Sequence, residues 1–200
     1  MFDAQPVSQA KTHYFAKIAL LSAVASVIMF LESPIPGMPV FLKMDLSEIP
    51  VLVGAFALGP LAGVLIELIK NLVHMTATTT AFIGEIANFL VGICFVLPAS
   101  YIYRIRRSKN GAIMGLVAGT ISMTTIAALL NYFITLPLYQ KVLNLPMEAI
   151  VSMGTEANKA IVDMKTLIIY AFVPFNLLKS IIISVITLLI YKKISPLLQR

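Results

Sequence analysis

The chain has 200 residues, 59% of them hydrophobic and only 12% charged, with a mean hydropathy of +0.93 and a formal net charge of +6. A soluble domain carries about 25% charged residues, so this composition excludes one and points to an integral membrane protein. Apolar runs of about 20 residues fit spanning helices rather than the short alternating strands of a barrel. The single cysteine, Cys94, excludes an internal disulfide and has no metal-ligand spacing around it. It reads as a small buried hydrophobe.

Taken in order, the chain begins with a basic flank, Lys11 and Lys17, running into the apolar segment Phe15–Leu31. Ala23-Val24-Ala25 imitates a signal-peptidase site, but the apolar stretch continues through it, so an uncleaved first span is expected. Ala19 and Ala23 form a small-xxx-small face, and Ser22 with Ser26 repeats the spacing. Such faces let another helix approach closely, within the bundle or from a partner. From Glu32 to Glu48 three prolines and Gly37 rule out continuous helix. Val40, Phe41, Leu42, Met44 and Leu46 in that loop would not stay in water. A lid folded back over the bundle is expected.

The next apolar segment, Ile49–His74, is cut by Gly59-Pro60. If it crossed once, Arg104, Arg106, Arg107 and Lys109 would fall opposite the amino-terminal lysines, against the positive-inside rule. Read as two short helices, it places the amino terminus, the Arg104–Lys109 loop and the tail with Lys192, Lys193 and Arg200 together. That side then holds nine of the 15 Lys and Arg. The reading is therefore an all-α membrane protein, one transmembrane domain over residues 1–200, with six helices and both termini cytoplasmic. The spans are 15–31, 49–58, 61–74, 81–103, 112–137 and 166–191. Ten helical residues rise only about 15 Å, so the second helix must be short or tilted. Unequal helix lengths suggest a cavity open to one face.

Polar residues in these spans are few. Glu67, Lys70 and His74 share one helical face, and Glu67 with Lys70 can neutralise each other. Glu85 and Asn88 follow early in the next helix. Asn131 precedes Pro137, and Asn176 with Lys179 follows Pro174, where the missing backbone donor predicts a bend. On the proposed topology Glu85, Asn88, Asn131, Asn176 and Lys179 converge in the outer half of the bundle. Planar amides offering donors and an acceptor, beside a lysine and apolar walls, suit a flat amphipathic heterocycle better than an inorganic ion. Each polar residue could instead be interhelical glue.

Several stretches together resemble the substrate-binding S components of energy-coupling factor (ECF) vitamin transporters, and among them the riboflavin-specific S component. They are Met44-Asp45-Leu46-Ser47-Glu48-Ile49-Pro50, Phe56-Ala57-Leu58-Gly59-Pro60-Leu61-Ala62-Gly63, Leu68-Ile69-Lys70-Asn71-Leu72 and Ala87-Asn88-Phe89-Leu90. Further along come Leu130-Asn131-Tyr132-Phe133, Leu136-Pro137-Leu138-Tyr139 and Pro174-Phe175-Asn176-Leu177-Leu178-Lys179. The resemblance implies a multi-pass protein of the bacterial cell membrane that binds one riboflavin near the outer surface, under the first loop. The resemblance implies no catalytic role and no cofactor beyond the transported ligand. It implies assembly with a transmembrane coupling subunit, contacted through Ala19 and Ala23, and with two cytoplasmic ATPases. Carried over, Asn131, Asn176 and Lys179 are polar ligands of riboflavin, Leu42 and Met44 cover the ring, and Asn88 is a further, weaker transfer. Two alternatives stay open: an S component for another vitamin, and an ion-coupled carrier using Glu67, Lys70 and Glu85. An intramembrane enzyme is not expected, since HExxH and GxSxG do not occur.

Overall fold

A computed structural model describes the backbone of residues 7–199 and the side chains of residues 11–194. Arg200, counted in the basic tail, lies outside the described residues. Among these there are seven helices: α1 (Val7–Met29), α2 (Glu48–Leu58), α3 (Pro60–His74), α4 (Ile83–Ile105), α5 (Lys109–Val142), α6 (Met147–Ala157) and α7 (residues 164–199). Four of them, α1, α4, α5 and α7, are long and apolar enough to cross a membrane. Their outward faces carry Leu20, Tyr101, Val117, Ile121 and Leu189, all largely exposed.

The break at Gly59-Pro60 occurs where expected. Gly59 takes φ 107°, ψ 168°, which closes α2 and starts α3; a side chain is strained in that region. Pro60 then occupies the first turn of α3, where its missing N–H costs nothing. Opposed ends show that α2 and α3 run in opposite directions. The start of α2 meets the first loop, whereas its end places Phe56 against Tyr103 and Tyr191 from the far ends of α4 and α7, with ring centroids 4.5 and 5.6 Å away. Gly63 lets α3 press on its neighbours, since a Cβ there would meet Val96 at 2.6 Å and Ala55 at 2.7 Å.

The first loop is a small antiparallel ribbon. β1 (Ser33–Pro34) pairs with β2 (Lys43–Met44), with Ser33 opposite Met44. It folds over the bundle as its apolar content predicts: Leu42 is buried beside Phe172, and Phe41 stacks 5.9 Å from that ring. Val40 departs from the expectation and stands in the open, because it lies at the ribbon's tip with nothing above it.

Two long helices contain a π turn at corresponding places. In α5 the turn is Asn131–Thr135, two residues before Pro137; in α7 it is Ile168–Phe172, two residues before Pro174. Each proline removes a donor and crowds the carbonyl four residues back, and the helix widens to accommodate it. The predicted bend at Pro174 takes this form. The stretch from Leu138 to Lys165, between the last two apolar segments, contains helix. α5 continues to Val142, and α6 is an additional short helix packed through Ile150 and Gly154 on Ile161 and Leu167. α7 starts at a capping box in which Thr166 N donates to Asp163 Oδ1 at 2.7 Å and Asp163 N donates to Thr166 Oγ1 at 2.9 Å. Its first turn was missed because Asp163, Lys165 and Thr166 interrupt the apolar pattern.

Candidate functional site: a cavity under the first loop

The ends of α1, α3 and α5, the starts of α4 and α7, the ribbon and α6 line an open cavity of about 360 Å³. This lies within the range of small-molecule sites, about 300–1,000 Å³. Its apolar wall includes Leu42, Val91, Met123, Leu136, Phe172 and Phe175, and its polar groups include Asn88, Asn131, Asn176 and Lys179.

The π turns set the polar groups. Asn131 opens the first, and its Nδ2 donates to Ala127 O at 2.7 Å; Asn176 Nδ2 donates to Phe172 O, the last residue of the second, at 2.8 Å. Each carboxamide thus spends one N–H on its own helix. That fixes the side chain and leaves an acceptor oxygen and one N–H for a ligand. Lys179 Nζ donates to Asp45 Oδ2 at 2.7 Å, which leaves two of its three donors free to turn toward the cavity.

Behind Lys179 runs a buried polar chain. Asp45 Oδ1 accepts from Ser47 N at 2.9 Å and from the Ser47 hydroxyl. Ser47 Oγ accepts from Lys70 Nζ at 2.9 Å, and the same ammonium lies 2.6 Å from Glu48 Oε1 and 2.9 Å from Glu67 Oε2. Asn71 Nδ2 donates to Glu67 Oε1 at 2.9 Å, and Asn88 Nδ2 donates to Asn71 Oδ1 at 3.1 Å. Gly92 makes room for this cluster, because a Cβ there would collide with the Glu67 carboxylate. Lys70 and Glu67 are fully buried, a placement that demands such pairing. Burial by itself raises the Asp45 carboxyl. The Lys179 and Lys70 ammonium groups and the hydrogen bonds from Lys179 and Ser47 outweigh it and hold Asp45 well below the usual carboxylate range.

A separate cluster lines the other wall. Glu85 Oε2 accepts from Thr78 Oγ1 at 2.9 Å and Thr80 Oγ1 at 3.1 Å, and Glu85 Oε1 lies 3.3 Å from His74 Nδ1. Ala81 and Phe82 take left-handed conformations just before α4, folding the threonines back onto the carboxylate. Among the described residues no hydrogen bond joins this cluster to Glu67 and Lys70.

Of the residues singled out from sequence, Leu42, Asn88, Asn131, Asn176 and Lys179 line the same cavity. Met44 does not: it faces a shallow groove with Ile28, Leu31 and Pro34 on the other side of the ribbon. The alternation of a strand explains this, since Lys43 and Asp45 on either side of it turn inward. Ala19 and Ala23 are exposed on α1, while Ser22 and Ser26 are buried and donate to Ile18 O and Ser22 O, each at 2.8 Å. The second small-residue spacing thus serves internal packing. Sequence reasoning missed Asp45, His74 and Thr80 as cavity residues. An acid in an apolar loop signals a hidden partner, but Asp45 and Lys179 are 134 residues apart, and no local pattern links them.

Comparison with known proteins places this geometry in context. The family model described as ECF transporter, substrate-specific component matches residues 13–191. The riboflavin transporter RibU of Staphylococcus aureus (strain TCH60) is 38% identical over 183 residues, 92% of this chain and 90% of that one. The riboflavin transporter FmnP of Bacillus subtilis (strain 168) is 33% identical over 186 residues, 92% of each chain. A solved structure of the S component of a bacterial ECF transporter superposes with a TM-score of 0.76 at 35% identity, covering 95% of this chain and 99% of that one.

Proposed function

The chain belongs to the substrate-specific components of ECF transporters, and on that premise we propose that its cavity captures one riboflavin molecule from outside the cell for ATP-driven uptake. The family is a binding component of a transporter and not an enzyme. In this reading the isoalloxazine ring lies against Leu42, Phe172 and Phe175. Asn131, Asn176 and Lys179 meet its polar edge, and Asn88 lies deeper on α4. The observation that carries the reading is the pairing of two pre-fixed carboxamides with a lysine at one edge of an apolar cavity, in a chain whose relatives are riboflavin transporters.

The membrane arrangement follows from the same premise. The four long helices and the antiparallel pair α2 and α3 make six passes through a bacterial cell membrane as one domain, with both termini cytoplasmic. The cavity faces outward and the Phe56, Tyr103 and Tyr191 cluster inward. The basic residues at the α4–α5 turn and at both ends support this by the positive-inside rule. Ala19 and Ala23, exposed on α1, provide a small-residue face for a transmembrane coupling subunit, which two ATPase subunits drive. Purification in detergent and an absorbance spectrum test the ligand: a flavin band at stoichiometric level is expected. A different vitamin in the extracted ligand pool would point to another S-component specificity.

A further inference from the structure

The cavity lining contains three carboxylates, Glu32, Asp45 and Glu85, against two ammonium groups, Lys43 and Lys179. Two of the carboxylates are spoken for. Lys43 Nζ lies 2.6 Å from Glu32 Oε1, and Lys179 Nζ lies 2.7 Å from Asp45 Oδ2. Glu85 remains. It is only 3% exposed, and among the described residues no lysine or arginine pairs with it. Its partners are two threonine hydroxyls and His74. It also sits in the first turn of α4, where the positive end of the helix favours a negative charge. Hydroxyls and helix dipole can hold a carboxylate in place without cancelling its formal charge, and His74 offsets that charge only when protonated.

The position matters because a helix start facing a cavity is ordinarily a place for an anion. Here the chain supplies its own. We propose that Glu85 is the charge selector of this cavity: its carboxylate disfavours anionic ligands, phosphorylated flavins above all, in a site that takes the neutral vitamin. The inference rests on the riboflavin reading. A phosphate that comes within about 7 Å of Glu85, in a medium of effective dielectric about 20, loses more than a factor of ten in affinity to the repulsion.

The test compares three ligands on the full chain in detergent: riboflavin, riboflavin 5′-phosphate and the neutral 5′-acetyl ester. The parent protein is expected to bind the phosphate at least about tenfold more weakly than riboflavin, with the acetyl ester much closer to riboflavin. In Glu85→Gln the ratio of phosphate to riboflavin dissociation constants falls by about tenfold, whereas Glu85→Asp, which keeps the charge, retains the parental ratio. Equal binding of phosphate and riboflavin by the parent overturns the inference. So does rejection of the acetyl ester as strong as that of the phosphate, which needs no variant to fold and would make the discrimination steric. An unchanged ratio in Glu85→Gln overturns it too. If the parent binds no flavin at all, the riboflavin reading itself fails and the inference falls with it.

Discussion

Lys179 Nζ and Asp45 Oδ2 lie 2.7 Å apart although 134 residues separate them in the chain. The pair fastens the first loop, just after β2, to α7 and aims the lysine along the cavity wall. One contact therefore holds the lid, the ligand-facing ammonium and, through Ser47, the Lys70 cluster behind it.

Breaking that pair from one side strands a buried charge. Asp45→Asn is expected to lower stability by about 3 kcal/mol or more and to weaken riboflavin binding more than tenfold, because Lys179 loses its anchor. A double-mutant cycle with Lys179→Met, read by thermal unfolding and flavin titration, should show strong coupling. Additive effects would mean that the two side chains act independently.

The pH dependence has a definite sign. The Asp45 carboxyl is depressed in the folded protein, so its contribution is fully present above the unfolded value of about 3.8 and is lost as pH falls through the lower folded value. The stability difference between the parent and Asp45→Asn should therefore be the same at neutral pH and in mild acid, and should shrink only in strong acid. Unfolding curves at several pH values check this. A difference that disappears in mild acid would show that Asp45 is not held by Lys179.

Asn131→Ala and Asn176→Ala each remove a carboxamide whose one hydrogen bond among the described residues goes to its own helix. Both variants should stay folded and lose riboflavin affinity by about tenfold, the scale of a buried ligand group left without its partner. Circular dichroism together with fluorescence titration separates binding loss from misfolding.

Gly59 and Gly92 carry the backbone argument. Gly59→Ala forces a side chain into φ 107° and should cost about 1–3 kcal/mol. Gly92→Leu drives its side chain into the Glu67 carboxylate and should reduce the yield of folded protein more severely. Thermal melts of the detergent-solubilised variants measure both.

Ala19→Leu and Ala23→Leu change an exposed face remote from the cavity. Riboflavin binding should be unchanged while co-purification with the coupling subunit falls. Loss of both would mean that α1 packs inside the bundle at these positions.

Much of this was legible in the sequence where a local rule applied. Gly59-Pro60 had to break a helix, Pro174 had to disturb its own, and the apolar loop residues had to find cover. Asn131, Asn176 and Lys179 were identifiable because polar groups are rare in such segments. What stayed hidden was tertiary. Glu67 and Lys70 could be paired from their spacing, but the third member, Glu48, comes from another helix. The hydroxyls that surround Glu85 depend on the left-handed turn at Ala81 and Phe82, which nothing in those two residue types announces. α6 could not be read from the sequence, because its polar face blends into the connecting segment.

The central claim is that the cavity beneath the ribbon holds riboflavin against Asn131, Asn176 and Lys179. A fluorescence-quenching titration of the purified, ligand-stripped chain tests it most directly. The account predicts saturable quenching at one riboflavin per chain, weakened by the Asn131 and Asn176 substitutions. Absence of quenching, or quenching indifferent to both substitutions, would contradict it.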